Sequence, residues 1–372
     1  MQSYLFTPGP LTTTETVRNA QLRDWGSRDT EFIALTKRVR ERLAFIANAG
    51  DSHVPVLLQG PGTYAMEATI ATLVAPADRL LVLVNGAYGH RIAEIARRLK
   101  LNVDVLEQDE LHPIEPETVA TYLEDKGPFD FMAVVHLETT TGLLNPIHEL
   151  SDLAARFDAG LIVDAMSSFG ATPIDLQSLK CSALVASSNK CLHGVPGLSF
   201  VICDRKALYR TGHSTPSLSL DLKHQVDGFE GSGEWRFTPP THCLAAFDCA
   251  LDEFLADGGV AARQARYAGN AELVRARLKS LGFKPVLTEN CRSDVILTFA
   301  YPDGGWFDFD RLYDTLASQS YYIYRGKLTQ TETFRIGCIG ALHSENFKEM
   351  LDLFAATVEK MRANPRTVEP TS

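Results

Sequence analysis

The chain has 372 residues, 45% hydrophobic and 22% charged, a globular balance that excludes collagen-like repeats, coiled-coil rods and wholesale disorder. At roughly 150 residues per domain, this length predicts two domains, or a large one with a smaller partner. Lys+Arg 36 against Asp+Glu 46 gives a net charge of −10, without the basic excess expected of a protein that binds nucleic acid or an anionic membrane.

Helical periodicity through Ile33, Leu35, Val39, Leu43 and Ile46 precedes a strand over Val54–Leu58, a glycine turn and a helix from Thr63 to Leu73. A buried strand over Leu80–Val84, a helix near Arg91–Leu99, a strand over Val103–Leu106 and a helix from Pro116 to Glu124 continue the alternation, with the proline at a tolerated first-turn position. This βαβα order predicts α/β layers on a mostly parallel sheet. Three further strands, Phe131–Leu137, Leu161–Val163 and Ala183–Ala186, each end at polar residues. Ligands of open parallel sheets sit beyond the carboxyl ends of strands, so these ends predict one shared cleft. Leu198–Ile202 reads as another strand, of open direction, and a long helix follows Gly258-Gly259 to Leu281. The remainder reads as a smaller α+β unit: strand 294–299, helix 307–317, strands 321–324 and 334–339, and helix 345–361.

No basic segment followed by an apolar core opens the chain, and no run of about 18 apolar residues occurs, so a cytoplasmic location without a membrane span is expected. The seven cysteines include no Cys-x-x-Cys pair and the ten histidines no close pair, which predicts reduced, mostly buried thiols and no metal site.

Three motifs carry chemistry. Gln59-Gly-Pro-Gly-Thr-Tyr-Ala65 is a strand-to-helix turn whose free N–H groups and helix dipole favour a phosphate, although Gly-Pro-Gly is also an ordinary turn. It matches the dinucleotide fingerprint too, but the strand that follows ends in Asn85-Gly86 rather than in the acid that would bind ribose. Leu161-Ile-Val-Asp164 places a carboxylate at a strand end, and Ser187-Ser-Asn-Lys190 places an amine at the next. A lysine beside a core strand is costly unless it is paired, deprotonated or covalently used. Pyridoxal 5′-phosphate needs a Schiff-base lysine, an acid for its pyridine nitrogen and a phosphate cup. Taken singly, Asp164 could be a helix cap and Lys190 a solvated loop residue; together the three motifs point to the cofactor.

Eight segments carry a resemblance over nearly the whole chain. They are Thr7–Thr14, Asn85–Gly89, Glu138–Pro146, Val163–Gly170, Asn189–Gly197, Ser217–Leu222, Trp235–His242 and Phe334–Gly340. In them the sequence resembles the class V, fold type I aminotransferases, in the branch that holds alanine–glyoxylate and serine–pyruvate enzymes. Asp164-Ala-Met-Ser-Ser-Phe-Gly170 and Trp235-Arg-Phe-Thr238 match the aminoethylphosphonate-specific members. The resemblance implies a large cofactor-binding α/β domain (21–257) with a mostly parallel mixed sheet, and a small α+β domain (258–362). It also implies an N-terminal segment (1–20) contributing to the small domain or the active site; residues 363–372, polar and with two prolines, read as a loose tail. Lys190 would form the Schiff base and Asp164 would hold the pyridine nitrogen. Tyr88 would stack on the ring, Gly62 and Thr63 would bind the phosphate, and Thr238 would reach the phosphate of a neighbouring subunit, which implies a homodimer. Thr140 and Asn189 would line the ring near its hydroxyl, and Arg335 would pair with the substrate's carboxylate or phosphonate. The reaction implied is amino transfer from 2-aminoethylphosphonate to pyruvate, giving phosphonoacetaldehyde and L-alanine in phosphonate breakdown, with an alanine–glyoxylate or serine–pyruvate activity as the alternative. Three residues depart from the pattern: Pro61 stands in place of a serine, Arg325 in place of a proline, and Lys223 in place of an aromatic.

Overall fold

A computed structural model describes residues 3–210, 215–328 and 331–364. The chain begins with β1 (Tyr4–Leu5), α1 (Glu15–Asn19) and α2 (Thr30–Ile46). Then β2 (His53–Gln59), α3 (Gly62–Leu73), β3 (Arg79–Val84), α4 (Ala87–Arg98), β4 (Asn102–Glu107), α5 (Pro116–Lys126) and β5 (Phe131–Val135) alternate. A hairpin of β6 (Leu137–Glu138) and β7 (Leu143–Leu144) leads through α6 (Ile147–Arg156) to β8 (Gly160–Asp164), β9 (Ala183–Ser187) and β10 (Leu198–Asp204). Helices α7 (Arg205–Leu208), α8 (Leu222–Gly231), α9 (Thr241–Ala256) and α10 (Gly259–Ser280) follow. The C-terminal part holds β11 (Ile296–Ala300), α11 (Phe309–Ser318), β12 (Tyr321–Tyr322), β13 (Tyr324–Arg325), β14 (Thr333–Gly337) and α12 (Ser344–Ala363).

The main sheet has seven strands in the order β2-β10-β9-β8-β5-β3-β4. Strands β9, β8, β5, β3 and β4 pair in parallel, and β10 is antiparallel to both β9 and β2, so β2 points the same way as those five. Along each strand alternate residues face opposite layers. Leu57, Leu81, Val134 and Val163 pack against α2, α6 and α9, while Val56, Val82, Ala133 and Val185 pack against α3, α4 and α8. Burial on both faces is why these strands read as continuous apolar runs. From β3 the chain moves outward to β4 and returns as β5 on the other side of β3. This reversal opens a crevice at the carboxyl ends of β3 and β5. A separate core joins α10, α11 and α12 to the β11-β14-β13 sheet. The N-terminal strand docks here: β1 pairs in parallel with β12, and the Phe6 ring meets Phe347 edge-on at 4.9 Å.

Several expectations need correction. The βαβα alternation stops after β8, because residues 165–182 form a loop with no helix. Serines, Gly170, Pro173 and Asp175 give that stretch no apolar face. The strand expected over 131–137 bends at His136: its N–H still bonds the Asp164 carbonyl of β8 at 2.8 Å, but its carbonyl accepts the Asn145 N–H at 2.8 Å and Leu137 pairs with Leu144 in a separate hairpin. The strand expected over 321–324 is two pieces in different sheets, hinged on the buried Ile323. Helix α9 escaped the sequence reading because Leu244, Ala245, Ala246, Phe247, Ala250 and Leu251 are all buried. A helix apolar nearly all round blurs the 3.6-residue period. Most of the expected polar tail, 365–372, lies outside the described residues, and α12 extends into its first position, Ala363.

Candidate active site

Four strand ends and the N-terminal segment converge on a cavity of about 190 Å³. At the end of β8, Asp164 is 6% exposed. Its Oδ1 accepts the Met166 N–H at 2.9 Å, the turn an aspartate makes with the backbone two residues on. Its Oδ2 has no hydrogen-bond partner among the described residues. Burial pushes this carboxyl up to about 7, and the Glu138 charge adds to the effect; the Met166 N–H, Lys190 and Arg91 act against it.

The turn after β9 carries Asn189 and Lys190 on the cavity wall. Ser188 pins this turn by donating its hydroxyl to the Val195 carbonyl at 2.7 Å, and the Gly194 N–H returns to the Ser188 carbonyl at 2.8 Å. Lys190 Nζ donates to the Pro8 carbonyl at 2.7 Å. Burial pushes the amine down to about 8, with Cys191 and Asp164 opposing the shift. Gly9 closes over the same amine: a Cβ there would lie 2.6 Å from Nζ, and its φ of +127° already favours glycine.

After β2, Gly60 takes φ +111° and gives its N–H to the Gly197 carbonyl at 3.0 Å, so the β2 and β10 ends are tied. Pro61 then caps α3, whose first residues Gly62 and Thr63 line the cavity. N–H groups at a helix start have no intrahelical acceptor and favour an anion. After β3, Asn85 and Asn145 exchange amide hydrogen bonds of 2.9 and 3.0 Å across the crevice. A Cβ on Gly86 would meet Glu138 Cδ at 2.4 Å, so only glycine passes there. Glu138, fully buried, accepts the Tyr88 N–H at 3.2 Å and the Thr140 hydroxyl at 2.9 Å. This seats the start of α4 and brings Tyr88 onto the wall.

Gly62, Thr63, Tyr88, Asp164, Asn189 and Lys190 are thus brought together. Thr140 is not on the wall: its hydroxyl is held by Glu138, and the neighbouring Thr139 lines the cavity, bonded to Ser167 Oγ at 2.7 Å. Arg335 on β14 lies behind Thr139, donating to its carbonyl at 3.1 Å and to the Arg325 carbonyl through Nε at 3.3 Å. It is 3% exposed and has no carboxylate partner among the described residues, unlike an ordinary surface ion pair. Thr238 is exposed and lies outside its own chain's cavity, in a surface depression with Gly60, Tyr64 and Phe237. Sequence reasoning missed Gly9, Arg91, Thr139, Met166, Ser167 and Ser187 as wall residues. Arg91 had a signal, since it stands three residues after Tyr88 on one helical face.

The donor set fits pyridoxal 5′-phosphate: the cavity offers the Lys190 amine with its lowered pKa, an unpartnered Asp164 carboxylate oxygen, the Tyr88 ring and the free N–H groups at the start of α3. The aminotransferase class-V family model matches residues 14–317. The chain is 42% identical to a 2-aminoethylphosphonate–pyruvate transaminase of Phocaeicola vulgatus over 95% of this chain and 98% of that one. It is 44% identical to one of Burkholderia pseudomallei over 96% and 97%. The solved structure of an alanine–glyoxylate aminotransferase from Nostoc sp. superposes with a TM-score of 0.89 at 26% identity, covering 97% of this chain and 96% of that one. The fold is therefore that of the fold type I pyridoxal phosphate-dependent transferases, and the chain belongs to the class-V aminotransferases.

Proposed function

We propose that this protein transfers the amino group of 2-aminoethylphosphonate to pyruvate, giving phosphonoacetaldehyde and L-alanine. The observation that carries the reading is the near-full-length identity of 42–44% to transaminases named for that reaction. The buried Arg335 without a counter-ion beside the cavity supports it. Both substrates are anions, and a planar guanidinium fork suits a phosphonate as well as a carboxylate.

Pyridoxal 5′-phosphate, bound through Lys190, supplies an electron sink for the donor's aminomethylene carbon. The Lys190 amine, on the same cavity wall, would take a proton from that carbon and give it back, acting as base and then as acid. Its lowered pKa, about 8, keeps part of the amine unprotonated near neutral pH. Asp164 would hold a proton on the cofactor's ring nitrogen, and its burial would strengthen that interaction. Tyr88, Asn189 and Thr139, on the same wall, would flank and line the ring. Gly62 and Thr63 would bind the phosphate and Thr238 of a second copy would reach it, which makes a homodimer the working unit. Tyr64 and Phe237, 51% and 50% exposed beside Thr238, suit such an interface. No described helix is long and apolar enough to cross a membrane, which agrees with a cytoplasmic enzyme.

The test is alanine formation from pyruvate by purified, cofactor-loaded protein given 2-aminoethylphosphonate, L-serine, glycine or no donor. Preference for 2-aminoethylphosphonate supports the reading. Preference for L-serine or glycine would keep the cofactor chemistry and overturn the substrate.

A further inference from the structure

The phosphate cup of this chain is short of donors at its own turn. Pro61, at the cap of α3, has neither a backbone N–H nor a hydroxyl to offer. The Tyr64 N–H folds back to the Pro61 carbonyl at 2.9 Å. What remains at the turn is the N–H groups of Gly62 and Thr63 and the Thr63 hydroxyl. A phosphate monoester carries close to two negative charges and three strong acceptor oxygens, more than these groups satisfy.

The facing helix supplies a cation at this place. Arg91, one turn into α4, lines the same cavity, and its Nη1 donates to Thr63 Oγ1 at 3.3 Å. Its guanidinium carbon stands 4.6 Å from the centre of the Tyr88 ring, a cation–π contact that fixes the plane of the fork while its remaining N–H groups stay available. Among the described residues Arg91 has no carboxylate partner, and besides Lys190 it is the one cation on the cavity wall. Its charge is felt at Asp164 and at Lys190, lowering both.

We propose that Arg91 binds the phosphate group of the cofactor, supplying from α4 the donors that Pro61 withholds from α3. The inference rests on the pyridoxal phosphate reading and adds a residue to it. The anchoring of the two arginines decides between the two anions of the reaction. Arg335 is bonded to the Thr139 carbonyl, on the part of the wall that Ser167 shares, whereas Arg91 is bonded to Thr63 at the start of α3. Arg91 therefore serves the phosphate and Arg335 the substrate.

The experiment compares two ligands that differ by the phosphate alone. Cofactor-free protein is titrated with pyridoxal 5′-phosphate and with pyridoxal, following the visible absorbance that either aldehyde gains on joining Lys190. Arg91→Gln is expected to weaken pyridoxal 5′-phosphate by about tenfold, the low end for a charge-assisted hydrogen bond at a partly exposed site, and to leave pyridoxal unchanged. Arg91→Lys should recover part of the loss, because the charge remains and the fork is gone. An unchanged preference for the phosphorylated ligand in Arg91→Gln would overturn the proposal. Equal weakening of both ligands would overturn it in favour of packing on Tyr88. A raised KM for 2-aminoethylphosphonate with the cofactor preference intact would assign Arg91 to the substrate instead. If the unaltered protein gives no visible band with either ligand, the cofactor reading itself falls, a result distinct from all of these.

Discussion

Asp164→Asn separates what the carboxylate costs from what it does. Burial moves this group from the ordinary 3.8 to about 7, so between those pH values the cofactor-free native state binds a proton that the unfolded chain has released. Stability must therefore fall as pH rises through that window, by ~4 kcal/mol in total at ~1.4 kcal/mol per pKa unit. The substituted amide keeps an oxygen to accept the Met166 N–H but carries no charge, so the cofactor-free variant should be more stable than the unaltered protein above pH 7 and equal to it below pH 4. Glu138, also raised by burial, is common to both proteins, so the difference between them isolates Asp164. With cofactor bound the order should reverse, because the ring nitrogen then partners the carboxylate. Turnover should drop at least about 10²-fold, the usual loss for a misplaced electrostatic partner. The assay is chemical unfolding at matched protein concentration, with and without pyridoxal 5′-phosphate, at pH 5 and pH 8. A cofactor-free variant less stable than the unaltered protein at pH 8 would show that the buried carboxylate carries no such cost.

Other outcomes follow from the same cavity. Only an unprotonated amine attacks an aldehyde, so the rate at which cofactor-free protein captures pyridoxal 5′-phosphate should climb with pH and level off above about 8; a plateau near the ordinary lysine value of 10.5 would contradict the burial of Lys190. Gly9→Ala pushes a methyl group against the Lys190 side chain and should cost up to about 10²-fold in kcat, the scale of a displaced reacting group, with the Lys190 capture profile moving as well. Arg335→Lys keeps a charge but loses the fork, so the KM for both 2-aminoethylphosphonate and pyruvate should rise about tenfold or more, measured by steady-state kinetics with each substrate varied.

The convergence of the candidate site residues was legible where strand ends coincide with polar residues. Asp164 and Lys190 each follow an apolar run, and parallel strands must deliver their carboxyl ends to one side of the sheet, so the sequence already placed them together. The tertiary partners were not legible. Pro8 lies 182 positions from Lys190, and only the docking of β1 on β12 brings its carbonyl to the amine. Thr140 and Thr139 are adjacent and chemically alike; which one faces the cavity depends on the buried Glu138 holding one hydroxyl, a contact that no local pattern encodes. Helix α9 was hidden by its uniform burial. Arg91 was readable from its spacing to Tyr88, but its contact with Thr63 on another helix was not.

Reduction of cofactor-loaded protein with borohydride, followed by peptide mapping, tests whether Lys190 carries the cofactor through the reaction. The account predicts a single pyridoxyl group on Lys190, lost when the loaded protein is first treated with 2-aminoethylphosphonate and regained after pyruvate. A label on another lysine, or one on Lys190 that 2-aminoethylphosphonate leaves untouched, would contradict it.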